Sequence, residues 1–202
     1  MRRRALLSAT AVAASTAALS GCLGDARRQL SGQILAHHAS ATLRPAEEQW
    51  VVGGLSAETN EYARAVLFPE SPPRDADLFT DAYPRTEQSF DNEILNEDYE
   101  NGFTLLYEVK MASEEAFVPL PRSHLLAEAG WTGWTSATLP MTMSRYEESE
   151  LDEDEREAEE LVAISVAYYE ADRAPSRAEV TLYDEAGNRR GGGATATPWS
   201  SA

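Results

Sequence analysis

Residues 102–111, GFTLLYEVKM, contain the clearest strand pattern in this chain. Apolar side chains recur at every second position, and successive strand residues point to opposite faces of a sheet. The pattern therefore predicts an inner apolar face made of Phe103, Leu105, Tyr107, Val109 and Met111. The opposite face carries Thr104, Leu106, Glu108 and Lys110, and its charged end is predicted to meet water.

A second stretch, residues 161–169, LVAISVAYY, has no charge and is rich in valine, isoleucine and tyrosine. This composition is typical of a central strand that is buried on both faces. We expect the inner face of residues 102–111 to pack against this stretch from a facing sheet or a neighbouring strand. The contacts predicted on its side are Val162, Ile164 and Val166.

Further short strands are predicted on both sides of these two, separated by glycine, proline and acidic residues. They cover residues 33–43, 49–52, 61–68, 116–120, 135–143 and 179–183. Residues 184–188, DEAGN, have the composition of a hairpin turn. The set predicts an all-β fold, a single antiparallel β-sandwich that is immunoglobulin-like in general form, with long acidic loops. The alternative is an α+β fold with residues 149–169 as one long helix, but the apolar stripe of that helix would be poor.

Three segments between and after these strands need separate predictions. Residues 75–100 are acidic but carry seven scattered apolar anchors, too many for disorder, so we predict a structured loop with a helical turn at residues 92–97. Residues 147–160 contain ten acidic residues in fourteen and are predicted to be a solvated loop or exposed helical turn. Residues 191–202 are predicted to be a flexible tail of small residues.

The beginning of the chain has the order of an export signal: arginines at positions 2–4, an uncharged run over residues 5–20, and then Leu19-Ser20-Gly21-Cys22. The run is too short to cross a membrane, since spanning needs about 20 apolar residues. A membrane helix with an incidental cysteine and a plain secreted protein are the alternatives. The only cysteine of the chain cannot form an internal disulfide.

These residues resemble a known class of exported protein. Arg3 and Arg4 before an apolar pair resemble a twin-arginine signal, and residues 19–22 resemble a lipobox. Together with the acidic, lysine-poor composition, they make the chain similar to haloarchaeal lipoproteins. The resemblance implies that residues 1–21 are removed, that Cys22 takes a lipid, and that the lipobox consists of Leu19, Ser20 and Gly21. Residues 22–32 would then be a linker, 33–190 a single β-rich domain, and 191–202 the tail.

The charge balance restricts the partners and the working conditions. The chain has 34 acidic residues against 17 basic ones, a net charge of −17, and Lys110 is its only lysine. No basic stripe is available for a phosphate backbone, so we do not expect nucleic acid as a partner. Molar salt screens repulsion between carboxylates. We therefore expect the unfolding temperature to rise from dilute buffer to molar NaCl, and a flat or falling temperature would contradict the halophilic interpretation.

No common catalytic or metal-binding motif occurs in the sequence, since HExxH, CxxC, GxSxG and phosphate-binding loops are all missing. His37 and His38 adjoin on a predicted strand and should point to opposite faces, so we predict one packed and one exposed histidine rather than a metal site with His124. We predict no cofactor. Calcium is the alternative, through two acidic groups consisting of Asp75, Asp77 and Asp81, and of Asp91, Glu93, Glu97 and Asp98.

The aromatic pair Trp131 and Trp134 could stack on a sugar, but we predict core or rim packing. Together these patterns predict a lipid-anchored protein on the outer face of the cell membrane, with a β-domain that binds or scaffolds without catalysis. Its partners would be the membrane, through the lipid, and a protein at the cell surface. The alternatives are an exported hydrolase that uses carboxylates, with or without calcium, and a transporter's solute-binding subunit. The chain leaves little room for the two hinged domains of such a subunit.

Overall fold

The computed structural model describes residues 32–84, 89–121 and 129–200. Within these ranges the chain is mostly strand, which confirms the all-β prediction. The helices are short: α1 (Phe90–Asn96), α2 (Glu153–Glu157), and 3-10 turns at Ser113–Glu115 and Glu148–Glu150. The strands are β1 (Leu35–Pro45), β2 (Ala63–Phe68), β3 (Gly102–Ala112), β4 (Phe117–Pro121), β5 (Gly130–Trp131), β6 (Ser136–Arg145), β7 (Glu160–Glu170), β8 (Arg177–Tyr183) and β9 (Ala194–Pro198).

The strands form one sheet in the order β1-β7-β3-β2-β9-β8-β6-β4, with β5 paired to β6. β4, at one end of this order, packs against β1 and β7 at the other end, so the sheet nearly closes into a barrel-like sandwich. The sheet is mixed rather than purely antiparallel, because β2 pairs with β9 and β6 with β8 in parallel. Parallel partners need a long connection between them, and here other strands of the sheet provide it.

The inner core lies between the strands and contains the predicted apolar face of β3. Phe103, Leu105 and Tyr107 are fully buried there. Their predicted contacts Val162, Ile164 and Val166 were assigned to the wrong face. β3 and β7 are antiparallel neighbours, and directly paired residues share a face. The inner core therefore receives the other side of β7, with Leu161, Ala163, Ala167 and Tyr169.

A second apolar cluster, the outer core, covers the opposite face of β2, β3 and β7. Leu106 and Phe68 belong to it, together with the three residues of β7 that were expected in the inner core. Its cover comes from segments 46–55, 76–83 and 90–99, which supply Ala46, Val51, Leu55, Leu78, Phe79, Tyr83, Phe90 and Ile94. The prediction of a structured loop in this region is confirmed, and its helical turn begins at Phe90 rather than at residue 92.

The acidic segment between β6 and β7 is mostly exposed, as predicted; Leu151 is buried, and Tyr146, Glu155 and Ala158 are half-buried. Asp152 and Glu155 cap α2 reciprocally: the Glu155 N–H donates to Asp152 at 2.8 Å, and the Asp152 N–H donates to Glu155 at 3.0 Å. The long helix of the α+β alternative is therefore wrong, since α2 ends at Glu157 and β7 follows. No helix in the described part of the chain is both long enough and apolar enough to span a bilayer.

The predicted tail is also wrong in its central part, because β9 lies between β2 and β8. Ala196 is fully buried there, and the Trp199 N–H donates to Leu67 O at 2.7 Å. Ala196 pairs with Ala178 of β8, which is also fully buried. From the sequence alone, a run of small residues predicts few contacts. The contacts of β9 come from its neighbours β2 and β8 in the folded sheet.

Candidate functional site

An open groove lies between β1 and the cover of the outer core. Its volume is about 710 Å³, within the usual range of small-molecule sites. The described residues that line it are Ser40, Ala41, Thr42, Trp50, Tyr83, Pro84, Ser89, Phe90, Asn92 and Glu93. A smaller groove of about 330 Å³ lies near Arg74, Asp75, Asp77 and Asp91. The larger groove combines aromatic and polar groups and is the better candidate for a functional site.

The aromatic wall of this groove is held by a short pairing between two irregular segments. Val51 bridges to Phe79, and the Thr80 N–H donates to Trp50 O at 2.8 Å. This pairing places the ring of Trp50 5.5 Å from that of Tyr83, at an angle of 64°. Tyr83 also stacks on Phe79 at 4.3 Å. Trp50 and Tyr83 thus form a corner that is fixed from behind by a packed aromatic cluster.

Tyr83 joins this wall to α1 through its hydroxyl group. The Phe90 N–H, at the first residue of the helix, donates to Tyr83 Oη at 2.6 Å. Burial raises the pKa of Tyr83; the hydrogen bond from Phe90 opposes this shift, and the charges of Asp91 and Glu93 reinforce it. The phenol is therefore neutral at neutral pH, and the site presents an uncharged ring beside negative charge.

The one carboxylate among the described lining residues is Glu93, which α1 directs toward β1. The Ser40 hydroxyl donates to Glu93 Oε1 at 2.6 Å. Glu93 Oε2 is withdrawn from water and receives no hydrogen bond from any described residue. A carboxylate oxygen in this position has lost hydration without gaining a donor, which costs free energy. Among the described lining residues, Glu93 thus carries the one buried polar atom without a hydrogen-bond partner.

A cluster of titratable rings lies on β1 two residues before Ser40. The strand has a β-bulge between Ala36 and His38, and His37 and His38 do not point to opposite faces as predicted. The prediction of one packed and one exposed histidine is also wrong, because both are exposed. Their Nδ1 atoms are 3.0 Å apart, and His38 stacks on Tyr168 at 5.6 Å. His38 Nε2–H donates to Glu97 at 2.6 Å. The extra residue of a bulge rotates the chain locally, and the alternation rule fails there.

A buried ion pair lies beneath the cover, away from both grooves. Arg44 and Glu108 are fully buried, with Arg44 Nη2 3.3 Å from Glu108 Oε1. The Leu55 N–H donates to Glu108 Oε2 at 3.3 Å, and Arg64 approaches the same oxygen at 3.5 Å. Burial raises the pKa of Glu108 and lowers that of Arg44, while their mutual attraction opposes both shifts. Because these groups line neither of the two grooves, we assign them a structural role.

The prediction that the charged end of β3 meets water is therefore wrong. Besides Glu108, Lys110 is also buried, and its Nζ donates to Thr59 O at 2.8 Å and lies 3.4 Å from Glu160 Oε2. Segment 46–60 covers this end of the strand and provides backbone partners for the charges. The strand pattern shows which side chains share a face, but it does not show whether an irregular segment covers that face.

Several residues predicted from the sequence lie outside the described residues. These are the signal and anchor residues Arg3, Arg4, Leu19, Ser20, Gly21 and Cys22, and also His124. Within residues 32–84, 89–121 and 129–200, no three histidine, cysteine or acidic side chains are grouped so as to hold a metal ion. Calcium binding by the two acidic groups stays the alternative.

Trp131 and Trp134, the two tryptophans considered for sugar stacking, lie in different environments. The guanidinium of Arg173 lies 4.2 Å from the ring centre of Trp131, whereas Trp134 is 86% exposed. The groove itself was not predicted. The sequence places Trp50 in a predicted strand, and it places Glu93 in one of the two acidic groups of the calcium alternative. The available signal was the recurrence of aromatic residues in an acidic segment, which indicated a structured loop but not what it encloses.

Comparisons with family models, curated proteins and solved structures find no match to this chain. The chemistry of its candidate site is therefore argued from its own residues.

Proposed function

We propose that this chain is a lipid-anchored protein of the outer cell surface whose β-domain binds a small ligand in the groove without converting it. The observation that supports this best is the groove itself, which is lined by an aromatic corner, Trp50 and Tyr83, and by one incompletely satisfied carboxylate, Glu93. Ligand sites commonly combine apolar walls with a few polar groups that fix orientation.

The groups in the groove favour binding over hydrolysis. Glycoside hydrolysis uses two carboxyl groups on either side of the scissile bond, and Glu93 is the only carboxylate among the described lining residues. Nucleophilic catalysis needs a base within hydrogen-bond reach of the nucleophile. Ser40 has only the carboxylate of Glu93 as such a partner among the contacts of its hydroxyl, and His38 on the same strand is engaged with His37 and Glu97 and does not contact Ser40.

The anchor is supported by the sequence alone, through Cys22 in a lipobox-like context behind paired arginines. β1 begins at Leu35, so a lipid on Cys22 would keep the domain within about 45 Å of the bilayer even with a fully extended connection. Stable anchoring takes two acyl chains, since one chain binds only marginally. The groove would then face the solution close to the membrane surface.

The anchor is tested by fractionation of cells that express Cys22→Ser. The variant should move from the membrane fraction to the medium, or remain as an uncleaved precursor. Normal processing with retention on the membrane would exclude Cys22 as the attachment point. In parallel, Arg3→Lys with Arg4→Lys should block export if a twin-arginine receptor reads this pair, and unchanged secretion would indicate the general route.

Binding is tested with a library of small organic compounds, by mapping amide chemical-shift changes in the full chain. We expect hits that shift residues of the groove and that are lost in Trp50→Ala. Trp134→Ala, the same change at an exposed ring, should retain them. Ester, peptide and glycoside substrates should show no turnover in high salt. Reproducible turnover that Glu93→Gln abolishes would favour the hydrolase instead.

A further inference from the structure

Resting on the proposed binding function, we infer that the groove takes a protonated primary amine on an apolar body. The ammonium group would lie at Glu93, and the apolar body would lie along Trp50 and Tyr83. A free alkylamine and a lysine side chain of a peptide share this chemistry, and the experiment below distinguishes them.

The first argument is the unmatched acceptor at Glu93. One oxygen of the carboxylate is satisfied by Ser40, and the other has no donor among the described residues. None of the described lining residues is a lysine, arginine or histidine, so none of them offsets the charge of Glu93. A cation that enters the groove would supply both the charge and, after a small rotation of the carboxylate, the missing donor.

The second argument is the aromatic corner. A cation within about 6 Å of an aromatic ring centre is attracted by the ring's negative face, most strongly by tryptophan. The indole N–H of Trp50 donates to Glu48 Oε2 at 3.1 Å, which places a further negative charge beside this ring. Tyr83 is neutral and fixed by Phe79 and Phe90, so the wall does not need to be ordered when a ligand binds.

The third argument is the surrounding field. The whole chain carries a net charge of −17, and Asp91 and Glu93 both act on Tyr83 from α1. A negative field attracts cations to the groove and disfavours anionic ligands. The unmatched oxygen of Glu93 then favours cations that carry N–H donors over cations that carry none. A primary ammonium has three N–H donors, whereas a quaternary ammonium has none, so only the former completes the hydrogen bonding of Glu93.

The test uses calorimetric titration of the full chain with four probes of similar size: butylammonium, tetramethylammonium, butanol and butyrate, at one fixed NaCl concentration. We expect butylammonium to bind at least tenfold more tightly than the other three. Glu93→Gln should weaken it at least tenfold. Glu47→Gln, which removes one charge at an exposed position outside the groove, should change the affinity less than twofold.

A lysine-containing tripeptide and its norleucine analogue distinguish the two sources of the amine. Tighter binding of the lysine tripeptide than of butylammonium would identify a peptide side chain, and the reverse would identify a free amine. The inference is overturned if butanol binds as well as butylammonium, or if Glu47→Gln and Glu93→Gln weaken binding equally. Circular dichroism and unfolding curves must show that Glu93→Gln is folded, and Trp50→Leu provides a second variant with an expected loss of at least fivefold.

The outcome also separates this inference from the proposed function. Neutral or anionic compounds that bind the groove, with shifts lost in Trp50→Ala, would refute the amine and leave a binding domain. No binding in the groove by any compound of the library would refute both.

Discussion

The inner core and the outer core bury the two faces of the same strands, yet of the two faces of β3 only the inner one could be predicted to be fully buried. Leu105 and Leu106 are neighbours on β3 and are both buried, one in each core. The inner core is closed by other strands, each with its own alternation. The outer core is closed by irregular segments, whose residues have no periodic pattern. Alternation therefore identifies faces, whereas burial of the second face depends on what the loops cover.

The largest expected effect is a difference in stability between two glutamate variants. The sequence predicts both glutamates to be exposed, but Glu108 is buried in the ion pair and Glu153 is exposed. Glu108→Ala should destabilise the fold by about 3–5 kcal/mol, because it leaves Arg44 buried without its carboxylate. Glu153→Ala removes an equal charge from an exposed position and should change the free energy of unfolding by less than about 0.5 kcal/mol. Denaturant unfolding in molar NaCl measures both. Equal effects would mean that segment 46–60 does not cover β3.

Cavity variants compare the packing of the two cores directly. Leu105→Ala should cost about 2–5 kcal/mol, and Leu106→Ala should lie in the lower half of that range, because a cover made of loops can partly collapse into the space. Both values come from equilibrium unfolding. A negligible cost at Leu106 would show that the outer core is loosely packed, and an equal cost would show that its loops are as rigid as strands.

A smaller effect is expected at the link between the aromatic wall and α1. Tyr83→Phe leaves the buried Phe90 N–H without its acceptor and should cost about 1–3 kcal/mol. Tyr62→Phe is the matched control, since Tyr62 is 69% exposed. Thermal unfolding of both variants is the measurement. If Tyr83→Phe behaves like the control, the hydroxyl is not what fixes the wall of the groove.

The smallest expected effect is a pH-dependent change in stability that arises from Asp184, in the turn between β8 and β9. Hydrogen bonds from Asn188 and then Arg190 lower the pKa of Asp184 below its ordinary value of 3.8. A lowered folded pKa stabilises the protein above the unfolded value, and this contribution is lost as the pH falls through the folded one. The difference in unfolding free energy between the parent and Asp184→Asn should therefore shrink below pH 3.8. If this difference in unfolding free energy does not change with pH, the charge of the Asp184 carboxylate is not its cause.

The strands were predictable because the order of apolar and polar residues within each strand indicates which of its faces is buried. Residues 102–111 and 161–169 are uncharged or alternate regularly, and both are strands in the structure. The bulge at His37 was not predictable, since an inserted residue leaves no mark on composition. Nor was the groove, because it needs Trp50, Tyr83 and Glu93 to meet from three separate segments. In a chain so rich in acids, only the tertiary structure shows that Glu93 carries the one buried carboxylate oxygen without a donor among the described residues.

The position of β9 determines when the sheet can be completed during synthesis. β9 alone joins the β1-β7-β3-β2 half of the sheet to the β8-β6-β4 half, and it follows every other strand in the chain. Until residues 194–198 have left the ribosome, β2 and β8 each present an unpaired edge, which is the usual starting point for aggregation. Loss of a few residues after position 193 would therefore damage biogenesis more than an equal loss from the acidic segment before β7.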